Sequence, residues 1–215
     1  SKSKNWLKIK TSFDNYDGYI KNSNYKKNIR NSHKVFKLKS RIFKKTQTKK
    51  FSQTKKYLTF AAKISIIQKN KKFVEYEKNK WIKKVDIKKI DHVEKNYLKI
   101  FKLFLNTKYL WGGKNYNGID CSAVLQLFFY YNNKFYPRDT KDKIRFKKKK
   151  IRKKIFKKGD IIFWKGHVAM CINSKKLIHA YGPEKKVLIM PIIKTIERIK
   201  RTANLYIKKI SPIKY

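Results

Sequence analysis

Cys121, His167 and His179 are the residues of this sequence whose types and spacing suit covalent catalysis. Cys121 follows the glycine-containing stretch YLWGGKNYNGID and begins an apolar run that predicts a helix. A thiol at a helix N-terminus feels the positive end of the helix dipole, and a neighbouring imidazolium lowers its pKa further. His167 and His179 lie on consecutive predicted strands, so one ring can take the thiol proton while the second orients the first.

Two other interpretations of these residues stay open on the pattern alone. A single cysteine at a helix start is often a small buried hydrophobe, and a single histidine on a strand is often an ordinary core residue. The set Cys121, His167, Cys171 and His179 also has the types and number of a tetrahedral zinc site. No closely spaced CxxC or HxxxH pair supports zinc, and the pattern alone leaves both the nucleophile and the ordinary core residue open.

Hydrophobic periodicity predicts the elements that would hold these side chains. It predicts a helix from Asp91, with Asp91 and Glu94 forming its N-terminal box, to about Asn106, and a second helix from Cys121 to near Asn132. The segments IIFWKGHVAMCI, KKLIHAYG and KKVLIMPI predict successive antiparallel strands joined by short turns. Two helices followed by such strands predict an α+β domain in which the helix of Cys121 packs on the sheet.

The N-terminal part of the chain predicts small β units. Residues 5–22 alternate apolar and polar on both sides of a DNYDG turn, as a hairpin does. Residues 28–56 are basic with weak periodicity and are interpreted as mostly connection. Three short strands at about 60–67, 72–76 and 80–85 predict a barrel-like unit.

The composition indicates a folded but strongly basic protein. The 215 residues are 41% hydrophobic and 15% aromatic, and their formal net charge is +46. Abundant Lys, Ile, Asn and Tyr with scarce Gly, Pro and Ala are typical of drift towards AT-rich codons, while a surface selected to bind polyanions is the alternative. The basic run at 147–158 is expected to be a solvated loop.

The sequence gives little indication of where in the cell the protein acts. Two cysteines cannot build a disulfide framework, and no run of about 18 apolar residues predicts a membrane span. The segment SKSKNWLKIK has no apolar signal core. Two locations stay open: the cytoplasm, or the cell envelope if a leader is missing from this chain. A monomer is expected.

The stretches YLWGGKNYNGIDCSAVLQ, YPRDT, KKGDIIFWKGHVAM and LIHAYG, in this order over residues 91–215, resemble the NlpC/P60 family of cell-wall cysteine peptidases, which have a papain-like fold. The upstream strands resemble bacterial SH3 (SH3b) modules. Together they resemble the dipeptidyl-peptidase VI type, γ-D-glutamyl-L-diamino-acid endopeptidases. The resemblance implies partial SH3b-like strands at 1–27, a basic linker at 28–56, an SH3b-like unit at 57–90 and the peptidase domain at 91–215.

The resemblance also implies roles for individual residues. Cys121 would be the nucleophile, His167 the general base and His179 the residue that orients it. Five further residues match substrate-facing positions of the family: Tyr109, Trp111, Asp120, Ser122 and Thr140. An acid of the first SH3b module holds the substrate's terminal amine in the dipeptidyl-peptidase VI type, and Asp14 and Asp17 are the acids available here.

The function that the resemblance implies is hydrolysis of the γ-D-glutamyl–diamino acid amide in peptidoglycan stem peptides or muropeptides, through an acyl-enzyme on Cys121 and without a metal or organic cofactor. A binding protein for nucleic acid or an anionic envelope polymer, on a decayed peptidase scaffold, is the second hypothesis. In a third, the Lys-rich surface makes weak contacts with anionic wall material that steer a working enzyme.

Overall fold

The computed structural model describes residues 5–23, 25, 30–145 and 155–213, which form an α+β structure as predicted. The predicted solvated loop at 147–158 falls largely outside these residues. The helices are α1 (Tyr97–Leu103), α2 (Cys121–Tyr131), α3 (Thr140–Arg145) and α4 (Ile192–Ala203). No helix in the described part of the chain is long and apolar enough to cross a membrane.

Strands before α1 fall into three antiparallel sheets, a hairpin and two sheets with the orders β5-β4-β9-β8-β7 and β10-β3-β6. Their bounds are β1 (Trp6–Lys10), β2 (Asp17–Lys21), β3 (His33–Val35), β4 (Lys39–Lys45), β5 (Phe51–Thr59), β6 (Lys63–Ile64), β7 (Gln68–Lys69), β8 (Phe73–Glu77), β9 (Lys80–Lys83) and β10 (Ile87–Lys89). These small sheets are consistent with SH3b-like modules.

The later strands build a small pair, β11-β12, and one five-stranded antiparallel sheet of order β16-β15-β14-β13-β17. Their bounds are β11 (Lys114–Asn115), β12 (Gly118–Ile119), β13 (Asp160–Trp164), β14 (His167–Cys171), β15 (Lys176–Tyr181), β16 (Lys186–Pro191) and β17 (Lys209–Pro212). Helix α2 packs on β14 and β15, as the chain order predicts.

The predicted hairpin at 5–22 is confirmed, with Trp6 paired to Lys21 across β1 and β2. Its turn packs against α2. The ring of Phe13 lies 4.6 Å from that of Tyr130, edge to face, and Asp14 accepts a hydrogen bond from the side chain of Gln126.

The prediction that residues 28–56 are mostly connection is wrong, because β3, β4 and much of β5 lie there. Strand β3 pairs with β10, and β4 with β9, so this stretch belongs to the same β structure as residues 73–89. The sequence does not reveal these strands because polar residues occupy some of their buried positions, so apolar and polar residues do not alternate along the sequence. Lys34 is buried and donates to the carbonyl of Tyr131, and buried Ser40 donates to Asp86 at 2.8 Å.

Within the predicted barrel-like unit, the strands expected at 72–76 and 80–85 are present as β8 and β9. The prediction of a strand at 60–67 is wrong. Only β6 forms inside it, because the chain turns at Ala61, whose φ of 64° is incompatible with an extended strand.

Helix α1 is shorter than predicted, and its N-cap is Asn96 instead of Asp91. The preceding backbone is held by the end of α2, since the N–H of Glu94 donates to the side chain of Asn132 at 2.9 Å. These residues therefore satisfy their backbone groups outside a helix. The predicted second helix is confirmed, ending at Tyr131 with Asn132 as its C-cap.

Helix α4 and the short α3 have no counterpart among the predicted elements. Helix α4 buries Ile192, Thr195 and Ile199 at helical spacing and packs along β16. The apolar face of α4 is narrow, and Lys and Arg stand between its apolar residues. The pattern therefore does not distinguish this helix from the other basic segments of the sequence.

Candidate active site

Cys121 is the first residue of α2, and Asp120 is the cap that starts the helix. The carboxylate of Asp120 accepts a hydrogen bond from the N–H of Ala123 at 2.8 Å, which satisfies one of the helix's N-terminal donors. The thiol is 8% exposed, and its Sγ lies 4.0 Å from the carbonyl oxygen of Gly166. Gly166, with φ of 75°, forms the tight turn before His167. The fold therefore brings the sulfur to the residue that precedes His167.

The two histidines lie side by side, as the strand spacing predicts. Nε2 of His167, the first residue of β14, lies 2.9 Å from Nδ1 of His179 on β15. His179 is 3% exposed, and its ring stacks on that of Tyr181 at 4.7 Å. Cys121 and His179 also line one small cavity under the sheet. The three predicted catalytic residues are thus gathered in one place.

Burial keeps both imidazoles neutral at ordinary pH. It lowers the pKa of His167 to about 4. Burial also lowers the pKa of His179 well below its usual value, and the charges of His167 and Arg198 lower it further. A neutral imidazole can accept a proton, which is what a general base requires.

The glycine turn before α2 carries Tyr109 and Trp111. The N–H of Tyr109 donates to the carbonyl of Lys185 at 2.7 Å, which fastens this turn to the start of β16. Gly113 is required for close approach, because a Cβ there would lie 2.5 Å from the carbonyl oxygen of Gly118. Trp111 is 77% exposed and stands on the open side of the turn.

The hydroxyl of Tyr109 stays protonated. Burial raises the pKa of Tyr109, and negative charge on Cys121 and Asp120 raises it further, whereas Arg138 lowers it. Tyr109 is therefore available as a hydrogen-bond donor at this turn.

Three of the predicted substrate-binding residues are buried: Asp120, Ser122 and Thr140. Both carboxylate oxygens of Asp120 already accept protein hydrogen bonds, and the hydroxyl of Ser122 donates to Asp120 at 2.9 Å. Thr140 is the first residue of α3. Their contact with substrate stays a prediction, while the observed contacts hold the start of α2.

Arg138 belongs to this cluster and was not among the predicted site residues. It is 7% exposed and forms a two-pronged ion pair with Asp120, with N–O distances of 3.1 and 2.5 Å. The signal available in the sequence was the motif YPRDT, where an arginine stands in a chain that otherwise prefers lysine. A fork-shaped cation suits a carboxylate in a way that lysine does not.

Of the two acids in the first hairpin, Asp14 faces α2. Its side chain is 4% exposed, accepts from Gln126 at 2.7 Å and lies 3.9 Å from the ammonium of Lys114. Asp17 is exposed and lies opposite Lys10 in the register of the two hairpin strands.

The zinc alternative finds no support in the part of the chain that the structure describes. No group of three or more His, Cys, Asp or Glu side chains there is placed to hold a metal ion. Cys171 packs in a separate apolar cluster with Ile162 and Trp164.

A helix that begins at a cysteine and packs on an antiparallel sheet bearing two adjacent histidines is the α+β arrangement that the sequence predicts for this part of the chain. The family model described as the NlpC/P60 family matches residues 106–203. Those residues are therefore an NlpC/P60 domain, and the resemblance inferred from the motifs is confirmed.

Named relatives agree with this assignment. The chain is 35% identical over 77 residues to a protein named dipeptidyl-peptidase 6 from Lysinibacillus sphaericus, a match that covers 36% of this chain and 28% of the relative. It is 33% identical over 99 residues to a gamma-D-glutamyl-L-lysine dipeptidyl-peptidase from Bacillus cereus, covering 42% and 29%. The matched region thus spans less than a third of either relative.

The fold extends beyond the matched domain. The crystal structure of an NlpC/P60 family protein from Bacillus cereus superposes with a TM-score of 0.72 at 20% identity, covering 89% of this chain and 72% of that one. That coverage takes in the β sheets upstream of the domain, so the two chains share their overall architecture.

Proposed function

We propose that this protein is a cysteine endopeptidase that hydrolyses the γ-D-glutamyl–diamino acid amide of peptidoglycan stem peptides. The observation that carries the proposal is the placement of the Cys121 sulfur, at the N-terminus of α2 and 4.0 Å from the carbonyl of the residue before His167, with His179 behind that histidine. The names of the relatives supply the substrate class, since one is named for the γ-D-glutamyl-L-lysine bond.

The two histidines divide the proton chemistry between them. Nε2 of His179 faces the Sδ atom of Met190 at 3.3 Å, a weak acceptor that suits an N–H donor. Nδ1 of His179 then accepts from Nε2–H of His167, which leaves Nδ1 of His167 as the basic nitrogen. In this tautomer His167 takes the thiol proton as the sulfur attacks.

The reaction then follows acyl transfer. The sulfur of Cys121 forms a bond to the γ-carbonyl carbon, and the resulting oxyanion is held by backbone N–H groups at the start of α2 and by the protonated hydroxyl of Tyr109. His167 returns its proton to the amine of the diamino acid, the C–N bond breaks, and a thioester remains. Water, deprotonated by His167, hydrolyses the thioester and restores the thiol.

We assign the recognition of the substrate's terminal amine to Asp14 in preference to Asp17. Burial raises the pKa of Asp14, but hydrogen bonds from Thr11 and Gln126 and the charge of Lys114 outweigh it and hold the pKa below its ordinary value. Asp14 is therefore ionised at neutral pH and lies against the helix that bears Cys121, whereas Asp17 is exposed.

The decisive experiment compares two cysteine variants on the tripeptide L-Ala-γ-D-Glu-L-Lys. Cys121→Ala should abolish release of lysine without changing the melting temperature by more than a few degrees, while Cys171→Ala, at the second buried cysteine, should keep most of the activity. Turnover by Cys121→Ala comparable to that of the parent would refute the assignment. Running intact sacculus beside the tripeptide shows whether polymeric wall or a released fragment is the substrate.

A further inference from the structure

The residue that precedes the thiol carries a charge of the wrong sign for a thiolate. Asp120 caps α2, and its carboxylate accepts from the N–H of Ala123 and, through its other oxygen, from the N–H of Gly112. Burial raises the pKa of Asp120, but the hydrogen bond and charge of Arg138 hold it below its ordinary value, so the group is ionised. A negative charge this close opposes the formation of a second negative charge on Cys121, and more so in a buried site.

Arg138 compensates for that charge. Its two N–H arms contact both oxygens of Asp120, and one arm also donates to Ser122 Oγ at 2.5 Å. All three side chains are 6–7% exposed, so little solvent screens the contact. The segment before α3 thereby supplies a cation to the first turn of α2.

We propose that Arg138 is a positioning residue which neutralises the helix-capping carboxylate of Asp120, so that the positive end of α2 still acts on the sulfur of Cys121. Asp120 is needed at this place because a capping side chain starts the helix and fastens the glycine turn. Arg138 removes the electrostatic penalty that this cap would impose on the nucleophile. The inference rests on the proposed function of Cys121.

The charges of Asp120 and Arg138 also act in opposite directions on Tyr109, which supports the proposal that Arg138 offsets the charge of Asp120. Asp120 raises the pKa of Tyr109 and Arg138 lowers it, although the hydroxyl lies on a different segment. The other titratable groups about the sulfur are His167 on β14 and His179 on β15. Lys114 of β11 lies near the ion pair as well: burial lowers the pKa of Lys114, the charge of Arg138 lowers it further, and the charge of Asp120 raises it.

The test measures the nucleophilicity of the thiol without any peptide. The rate of alkylation of Cys121 by iodoacetamide is followed from pH 4 to 10 in the Cys171→Ala background, where one cysteine remains. Arg138→Met should move the midpoint of the profile upward by about 1 pH unit, and Arg138→Lys, which keeps the charge, should keep the midpoint close to that of the parent. The double variant Asp120→Asn/Arg138→Met, which removes both charges, should return the midpoint towards that of the parent.

A purely structural role for Arg138 gives different results. An unchanged midpoint in Arg138→Met, or the same raised midpoint in the double variant, would overturn the proposal even if stability falls. If Arg138→Met does not fold, Asp120→Asn still decides, because Asn is an equally good helix cap and removes the charge. Its midpoint must then lie below that of the parent, and no shift counts against the proposal.

The outcome is separate from that of the proposed function. Alkylation midpoints that shift as stated, in a protein that cleaves no γ-D-glutamyl peptide, would leave the role of Arg138 in place and remove only the substrate assignment. Peptide cleavage with no shift in any variant would do the reverse.

Discussion

Nε2 of His179 lies 3.3 Å from the Sδ atom of Met190, so the ring nitrogen of His179 that faces away from His167 contacts a thioether. A thioether is a weak hydrogen-bond acceptor and holds the ring with little energy. The orientation of His167 therefore depends mainly on its own contact with His179 and on the stacking of His179 against Tyr181.

This arrangement predicts unequal effects at His179 and Met190. His179→Phe keeps an aromatic ring but loses the partner of His167, and should lower kcat for the tripeptide by about 10²-fold with little change in KM. Met190→Leu removes only the thioether contact and should lower kcat by less than about threefold. Steady-state kinetics of both variants checks this, and equal losses would show that the thioether matters as much as the histidine pair.

The lowered pKa of His167 predicts that stability falls in acid. The pKa of His167 is about 4 in the folded protein and about 6.5 in the unfolded chain, so between these values the unfolded state binds the extra proton. The free energy of unfolding should therefore decrease as pH falls from about 6.5 to about 4, by up to about 1.4 kcal/mol per pH unit for this group.

Urea unfolding at pH 7, 6, 5 and 4.5 measures this slope. His167→Asn removes the titrating group, so its stability should depend less steeply on pH than that of the parent. Identical slopes in the two proteins would show that the pKa of His167 is the same in the folded protein as in the unfolded chain.

The sequence predicted the part of the fold from α2 to β15 better than the β structure before it. Strands β13 to β15 and helix α2 have mostly apolar residues in their buried positions, so their hydrophobic periodicity agrees with their burial. In β3 and β4 buried positions are filled by Lys34 and Ser40, which have partners far along the chain in Tyr131 and Asp86. Hydrogen bonds between residues so far apart in the sequence produce no local pattern, so the sequence of residues 28–56 resembles a linker.

The candidate site shows the same division. Cys121, His167 and His179 could be predicted because each has a reactive side chain in a recognisable motif. Arg138 stands in the motif YPRDT, but its ion pair with Asp120 could not be predicted, since the two residues lie on different segments. Nor does the sequence reveal which hairpin acid faces α2, because that depends on how the turn around Phe13 packs against Tyr130.

The close approach in the glycine turn predicts a sharp cost for one added methyl group. Gly113→Ala would put Cβ 2.5 Å from the carbonyl oxygen of Gly118, so the backbone must shift, and stability should fall by about 1–3 kcal/mol. Activity should fall as well, since the turn carries Tyr109. Gly18→Ala is the matched control, because a Cβ in the first hairpin meets nothing within 4 Å. Thermal unfolding of both variants tests this, and a control as unstable as Gly113→Ala would contradict it.

The position of Asp14 predicts selectivity for peptides with a free terminal amine. Its ionised carboxylate lies against α2, where the ammonium of Lys114 at 3.9 Å is the cation that a substrate amine would replace. Asp14→Asn keeps the size and the contact with Gln126 but loses the charge, and should raise KM for L-Ala-γ-D-Glu-L-Lys by about tenfold, the factor that corresponds to about 1.4 kcal/mol. KM for the N-acetylated peptide should hardly change, and Asp17→Asn should leave both values near those of the parent. An equal rise in KM for the free and acetylated peptides would mean that Asp14 supports the hairpin and does not bind the amine.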